Sequence, residues 1–274
     1  MKLSLAIQTP EEPTRSPISL LSGSLDEMLA KAAQWGADGC ELMPVDPTRI
    51  DVGSIRASLE RYQLEVGAVG TALLSIVAGL TLLSSEPGIA LRARTQFYQA
   101  IDFAESMGAP LLTIGGFRGR FSSVGKEGKQ QFIEIIREAA DYSLPKGVRL
   151  VLEPINRYQS DGITSTAGGL AFLEEVNHPG LGLLIDTCHM TMEERSWTEP
   201  FQLAMKAGRL WHVHLAENNR LTPGRGLIGF KAILKTLKEI GYDRHLTLEV
   251  MAIPDPDSAA REGLVYIRNL LMNN

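Results

Sequence analysis

Three carboxylates and one imidazole stand where apolar runs end: Glu153 after LVL, Asp186 after LLI, His214 in LWHVHL and Glu249 after LTL. Such runs are built to be buried, and a lone carboxylate at the end of one is costly to ionise unless it is paired or holds a cation. Three carboxylates in one place would repel one another, and a divalent cation resolves both difficulties. Three oxygen donors with one imidazole make a mixed site suited to Mn2+, with Co2+, Mg2+ or Zn2+ as other ions for the same set, and unlike a thiolate zinc site. Singly, each acid could equally cap a following helix or close an ion pair. As a set they point to a metal.

The neighbours of these four residues carry further options. His189 follows Asp186 by one helical turn, so the two could share a simple hydrogen bond at a helix start. In His-x-His on a strand both side chains face the same way, which puts His212 one layer below His214, in a packing or supporting role. Arg220 sits in ENNRLTPGRG, where it could be a solvated loop residue and where Gly224 and Gly226 could serve the turn alone. Arg118 and Arg120 follow GGF and could either bind a phosphate or be solvated charge.

The elements that must position these side chains are readable from hydrophobic periodicity. Short β-rich runs at 2–7, 39–43, 66–69, 111–115, 149–153, 181–186, 210–215 and 246–250 alternate with helical patterns at 25–35, 52–62, 87–107, 126–143, 167–176, 198–206, 231–240 and 258–272. Helix punctuation supports them: Ser85-Glu86-Pro87 at a start, and the glycines of MGAP, KGV, HPGLG and IGYD at stops. No change of composition marks a linker, so one domain over 1–274 is expected. Eight strand–helix units predict an α/β fold of the closed (β/α)8, or TIM, barrel type, with chemistry at the C-terminal ends of the strands. An open nucleotide-binding sheet would show GxGxxG after its first strand, and none follows Ile7.

Composition narrows the partners. A formal net charge of −5 disfavours nucleic acid and anionic membrane, which call for a basic surface, and favours a small-molecule substrate. Residues 66–83 form an 18-residue stretch without charge, but its glycines predict a buried strand, an apolar loop and a short helix in place of a membrane span. The apolar part of that loop, 73–83, could be a lid or an interface, and a homo-oligomer is possible. Cys40 and Cys188 form no CxxC, and MKLSLAIQTP lacks the pattern of a secretion signal, so reduced thiols and a cytoplasmic location are expected.

The motifs EPINR, DTCH, HVHLAENNRLTPGRG and LEV, running from Glu153 to Glu249, resemble those of the xylose-isomerase-like barrel superfamily, within it the ketose 3-epimerases of the D-tagatose and D-psicose type. Before Glu153 the resemblance rests on the strand–helix rhythm alone. It implies that Glu153, Asp186, His214 and Glu249 bind one divalent ion, that His189 and Arg220 bind substrate oxygens, and that Glu153 and Glu249 double as the acid/base pair. Two departures stand out: Gln159 where these epimerases usually have a second Glu, and Gly229-Phe230 where they usually have Pro-Trp.

The implied reaction is proton transfer next to the carbonyl of a sugar or sugar phosphate, through an ene-diolate that the cation stabilises. Return of the proton to the same carbon gives an epimer, return to its neighbour an aldose–ketose isomer, and loss of a β-hydroxyl a dehydration of the keto-inositol type. The apurinic endonucleases of the superfamily share several of these acids. They need further histidines from the third and fourth strands and an Asp-x-His on the seventh, where this chain has VGTA, GGFRG and His-x-His.

Overall fold

Alternation of apolar residues in short runs and helical periodicity between them yields the following elements, in order: β1 (Lys2–Gln8), α1 (Leu25–Gln34), β2 (Gly39–Met43), α2 (Val52–Tyr62), β3 (Glu65–Gly70), α3 (Ala72–Ile76), α4 (Pro87–Met107), β4 (Leu111–Ile114), α5 (Gly128–Ser143), β5 (Arg149–Leu152), α6 (Thr166–Val176), β6 (Leu181–Asp186), α7 (Thr187–Glu193), α8 (Glu199–Lys206), β7 (Leu210–Leu215), α9 (Phe230–Glu239), β8 (His245–Leu248) and α10 (Pro256–Met272). This computed structural model describes residues 1–273; Asn274, the last residue of the domain expected from the sequence, lies outside the described residues. The strands pair in parallel in chain order, and β8 returns to β1 to close the barrel. Local chemistry sets the helix ends. Ser24 and Glu27 form a capping box on α1, Asp51 and Asp255 cap α2 and α10, and Gly108 stops α4 in the left-handed region at φ 67°.

Strand side chains alternate, so counting back by two from an inward residue finds the next inward one. From Glu153, Asp186, Thr113 and Gly70 that rule leads to Val151, Leu184, Leu111 and Ala68. These four pack with Trp211 in a small core of their own, separate from the large core between the strands and the helices. The polar site therefore rests on a plug of apolar side chains, which fixes the floor from which its acids rise.

Three expectations are refined or changed on folding. Leu73, Leu74, Leu80, Leu82 and Leu83 are buried, so most of the apolar surface of 73–83 is covered, and Ile76 stays 52% exposed. The physical reason is that Leu82 N and Leu83 N donate to Phe117 O and Arg118 O, which ties the segment down against 116–119. Residues 187–193, given no helix from the pattern, form α7, because Asp186 Oδ1 accepts from Cys188 N and His189 N and caps it.

Arg118 is neither a phosphate ligand nor solvated charge. Its side chain is 1% exposed, and its guanidinium donates to Glu153 O (2.7 Å), Ser160 Oγ (2.9 Å) and Ile163 O (3.0 Å). Burial pulls its pKa down to about 10, against the opposing charges of Glu153 and Asp161. Arg118 thus pins the turn after β4 to the segment after β5. Arg118→Met would strand three buried acceptors at about 1–3 kcal/mol each, so a loss of at least about 3 kcal/mol is expected in urea unfolding; an unchanged midpoint would refute the pinning role.

Candidate metal centre

Glu153 and Glu249 follow β5 and β8 directly, Asp186 ends β6, and His214 is the fifth residue of β7. Barrel closure brings these four buried side chains together, with one donor atom of each inside a cluster where all lie within 4.8 Å of one another. His214 Nδ1 is 3.5 Å from Glu249 Oε2, 3.9 Å from Asp186 Oδ2 and 4.0 Å from Glu153 Oε1. Both His214 Nδ1 and Glu153 Oε1 are buried without a hydrogen-bond partner, an arrangement that costs free energy unless something between them accepts both lone pairs. A divalent cation fits that description, and three carboxylates with one imidazole suit Mn2+, Co2+ or Mg2+ by charge and donor type.

The electrostatics of the cluster divide its members. Burial, followed by the charge of Asp186, pushes the Glu153 carboxyl up to about 7. Burial alone would also push Asp186 up, but the Arg220 guanidinium, with His189 and His214, holds it below its ordinary value. Burial would lower His214, and the Glu41 carboxylate reverses this and holds it above its ordinary value.

Arg220 and His189 both border the cluster. Arg220 Nη1 donates to Asp186 Oδ2 (2.6 Å), and Nη2 contacts Glu249 Oε2. Its backbone is left-handed at φ 62°, which is uncommon for a residue with a side chain. Glu217 N and O flank that loop, and Met251 N donates to Arg220 O, so the conformation is held from two sides. His189 Nε2 is 3.8 Å from Glu153 Oε1, while Asn156 Nδ2 lies 2.7 Å from His189 Nδ1. An amide N–H can only donate, so Nδ1 accepts and the ring presents Nε2–H to the site. Burial holds His189 down to about 4, which keeps it a neutral donor at working pH.

His212 lies one layer below His214 and is fully buried, as the strand alternation requires. Sequence reasoning passed over two residues. Glu41, on β2, places Oε2 2.9 Å from His214 Nε2 and 3.0 Å from His212 Nε2. Burial alone would raise its pKa, but the two imidazoles hold it far below the usual carboxylate range. Asn156 is the other. The signal for Glu41 was an acid in the middle of GCELM, where a buried strand has no cheap place for one; Asn156 gave no signal of its own.

The family description "xylose isomerase-like TIM barrel" matches residues 29–270. The L-ribulose 3-epimerase of Methylomonas sp. (strain DH-1) is 31% identical over 248 residues, covering 88% of this chain and 84% of that protein. The ketose 3-epimerase of Arthrobacter globiformis is 28% identical over 249 residues, with 89% of this chain and 83% of that protein covered. Among solved structures, the D-allulose 3-epimerase of Methylomonas sp. superposes with a TM-score of 0.80 at 25% identity, over 99% of this chain and 98% of that one.

Proposed function

The chain belongs to the xylose isomerase-like TIM barrel family, and we propose that it is a metal-dependent ketose epimerase, an isomerase that inverts the carbon next to the carbonyl of a free sugar. The observation that carries this reading is the facing pair of unpartnered atoms, His214 Nδ1 and Glu153 Oε1, inside a ring of three carboxylates. The two similar proteins named as L-ribulose and ketose 3-epimerases support the same reaction class.

In this reading Glu153, Asp186, His214 and Glu249 hold one divalent ion, most suitably Mn2+. When bound, the ion supplies Lewis-acid polarisation of the sugar carbonyl. Glu153 and Glu249 stand three strands apart round the barrel, just after β5 and β8, which lets them address the substrate from different sides. One carboxylate removes the proton from the carbon next to the carbonyl, and the other returns a proton to that carbon from the opposite face. In the cation-free site burial and the charge of Asp186 bring the Glu153 carboxyl up to about 7, and a buried carboxyl whose pKa its neighbours tune suits both giving and taking a proton. Asp186 carries the negative charge and serves as ligand only. His189 Nε2–H and the Arg220 guanidinium donate to the sugar oxygens as charge develops on them.

Epimerisation is preferred to hydrolysis of nucleic acid. Gly70-Thr71 at the end of the third strand and Gly115-Gly116 just after the fourth offer no further metal ligands among the described residues. Gly115 also has a place in the site, since a side chain there would collide with Glu153 Oε2.

Incubation with Mn2+ in D2O tests the proposal on a panel that includes L-ribulose and D-allulose. We expect deuterium at C3 of the recovered ketose together with its C3 epimer. No deuterium at any carbon next to the carbonyl, on any sugar tried, would sink the proton-transfer reading. Deuterium at C1 with an aldose product would replace the epimerase by an aldose–ketose isomerase.

A further inference from the structure

Glu41 lies below the proposed metal ligands and touches none of the three acids, yet it is fully buried on the barrel axis. Side chains from two other strands, β4 and β7, hydrogen-bond to it. Its Oε2 faces both His212 Nε2 and His214 Nε2 on β7, at 3.0 and 2.9 Å, and its Oε1 accepts from Thr113 Oγ1 on β4 at 3.2 Å. Thr247 Oγ1 on β8 lies 3.1 Å from the same His212 nitrogen. On β3, a side chain at Gly70 would put its Cβ 2.8 Å from Glu41 Oε1, so glycine there leaves room for the carboxylate.

A carboxylate oxygen can only accept a hydrogen bond. The two imidazoles must therefore each donate Nε2–H to Glu41, which determines how the rings are turned and where their second nitrogens point. For His214 that second nitrogen is Nδ1, which faces Glu153, Asp186 and Glu249 and has no partner of its own. The His212 ring stands edge-on to His214, at 80° with centroids 5.1 Å apart, and so blocks rotation of the ligand ring from below.

We infer that Glu41 is a positioning residue for the metal centre: it anchors Nε2–H of His214, so that the Nδ1 lone pair is presented to the cation, and it uses His212 as the second arm of the anchor. The inference rests on the metal reading of the four residues above. It assigns a role to an acid that neither binds the cation nor reaches the sugar. A ligand imidazole anchored through its other nitrogen is better oriented and more basic, and loss of such an anchor typically weakens metal binding about 10- to 100-fold.

The test uses full-length wild type, Glu41→Gln and Glu41→Asp, each stripped with chelator. Mn2+ affinity is read from the electron paramagnetic resonance of the free ion, and thermal midpoints are taken without and with Mn2+. Glu41→Gln keeps the shape but offers an amide that donates to one imidazole, so we expect affinity about 10- to 100-fold weaker and a metal-free midpoint close to wild type. Glu41→Asp keeps the charge but withdraws it, and its affinity is expected to lie between the two. A packing role alone would instead lower the metal-free midpoint and leave affinity unchanged, which overturns the inference. Should Glu41→Gln fail to fold, Glu41→Asp decides by the same criterion: affinity within about twofold of wild type overturns the inference, and a clear loss upholds it. If wild type itself binds no Mn2+, the metal reading fails and the anchor with it; if wild type binds and both variants bind equally, the anchor alone fails.

Discussion

Replacing Glu153 by Gln is expected to lower kcat for ketose epimerisation by about 1,000-fold or more while leaving the barrel folded. A positioned general acid or base contributes about 100- to 10,000-fold, and Glu153 is assigned a second duty as a metal donor, so the loss falls in the upper part of that range. The stability of the metal-free protein should move the other way. The Glu153 carboxyl is pushed up to about 7 by burial and by Asp186, so its ionised form is disfavoured in the folded state. For a carboxyl with a raised folded pKa, stability is lost as pH rises from the ordinary carboxylate range through about 7. Glutamine removes that penalty. The metal-free Glu153→Gln protein should therefore unfold at the same temperature as wild type below pH 5 and at an equal or higher one at pH 8. Steady-state kinetics and thermal melts at the two pH values check this, and full activity in a folded variant would remove Glu153 from the reaction.

Removing the cation is expected to abolish epimerisation and to lower the thermal midpoint, and Mn2+ to restore both. Three buried acids around one point repel one another once ionised, and a bound cation relieves this only in the folded state. At a Mn2+ concentration 100 times its dissociation constant the stabilisation is about 2.7 kcal/mol, or roughly 5–10 °C at about 2–4 °C per kcal/mol for a chain of this size. A proton on Glu153 competes with the cation. Affinity should therefore rise with pH until it levels off above about 7, the value to which burial and Asp186 bring this carboxyl. Activity and melting temperature after chelation, then after addition of Mn2+, Co2+ and Mg2+ in turn, give the result. A stripped protein with undiminished activity would refute the metal requirement.

Much of the barrel was legible because its cues are local. All eight strands lie, within a residue or two, where the short β-rich runs put them, and Gly108 ends α4 where MGAP called for a stop. Glu153, Asp186, His214 and Glu249 were legible as a group because each follows a run that must be buried, which leaves an acid or an imidazole in need of a partner. Arg118 was misread for the opposite reason. A guanidinium in a glycine-rich loop looks solvated, and only its acceptors after β5, 35 to 45 residues away, take it into the core. In the 73–83 loop the leucines are buried and Leu82 and Leu83 are tied to the 116–119 turn, while Ile76 stays exposed.

By itself, then, the sequence determined the order of the strands and of most helices, and which side chains had to be satisfied by something. Those properties follow from periodicity and from the cost of burying charge, both of which act over a few residues. Tertiary structure alone decided who satisfies whom. Glu41 and His212 are 171 positions apart and meet at 3.0 Å only because β2 and β7 face the same barrel interior. Hydrogen bonds and charge pairs act over a few ångströms of space, and closure of the barrel sets which residues of the chain come within that reach.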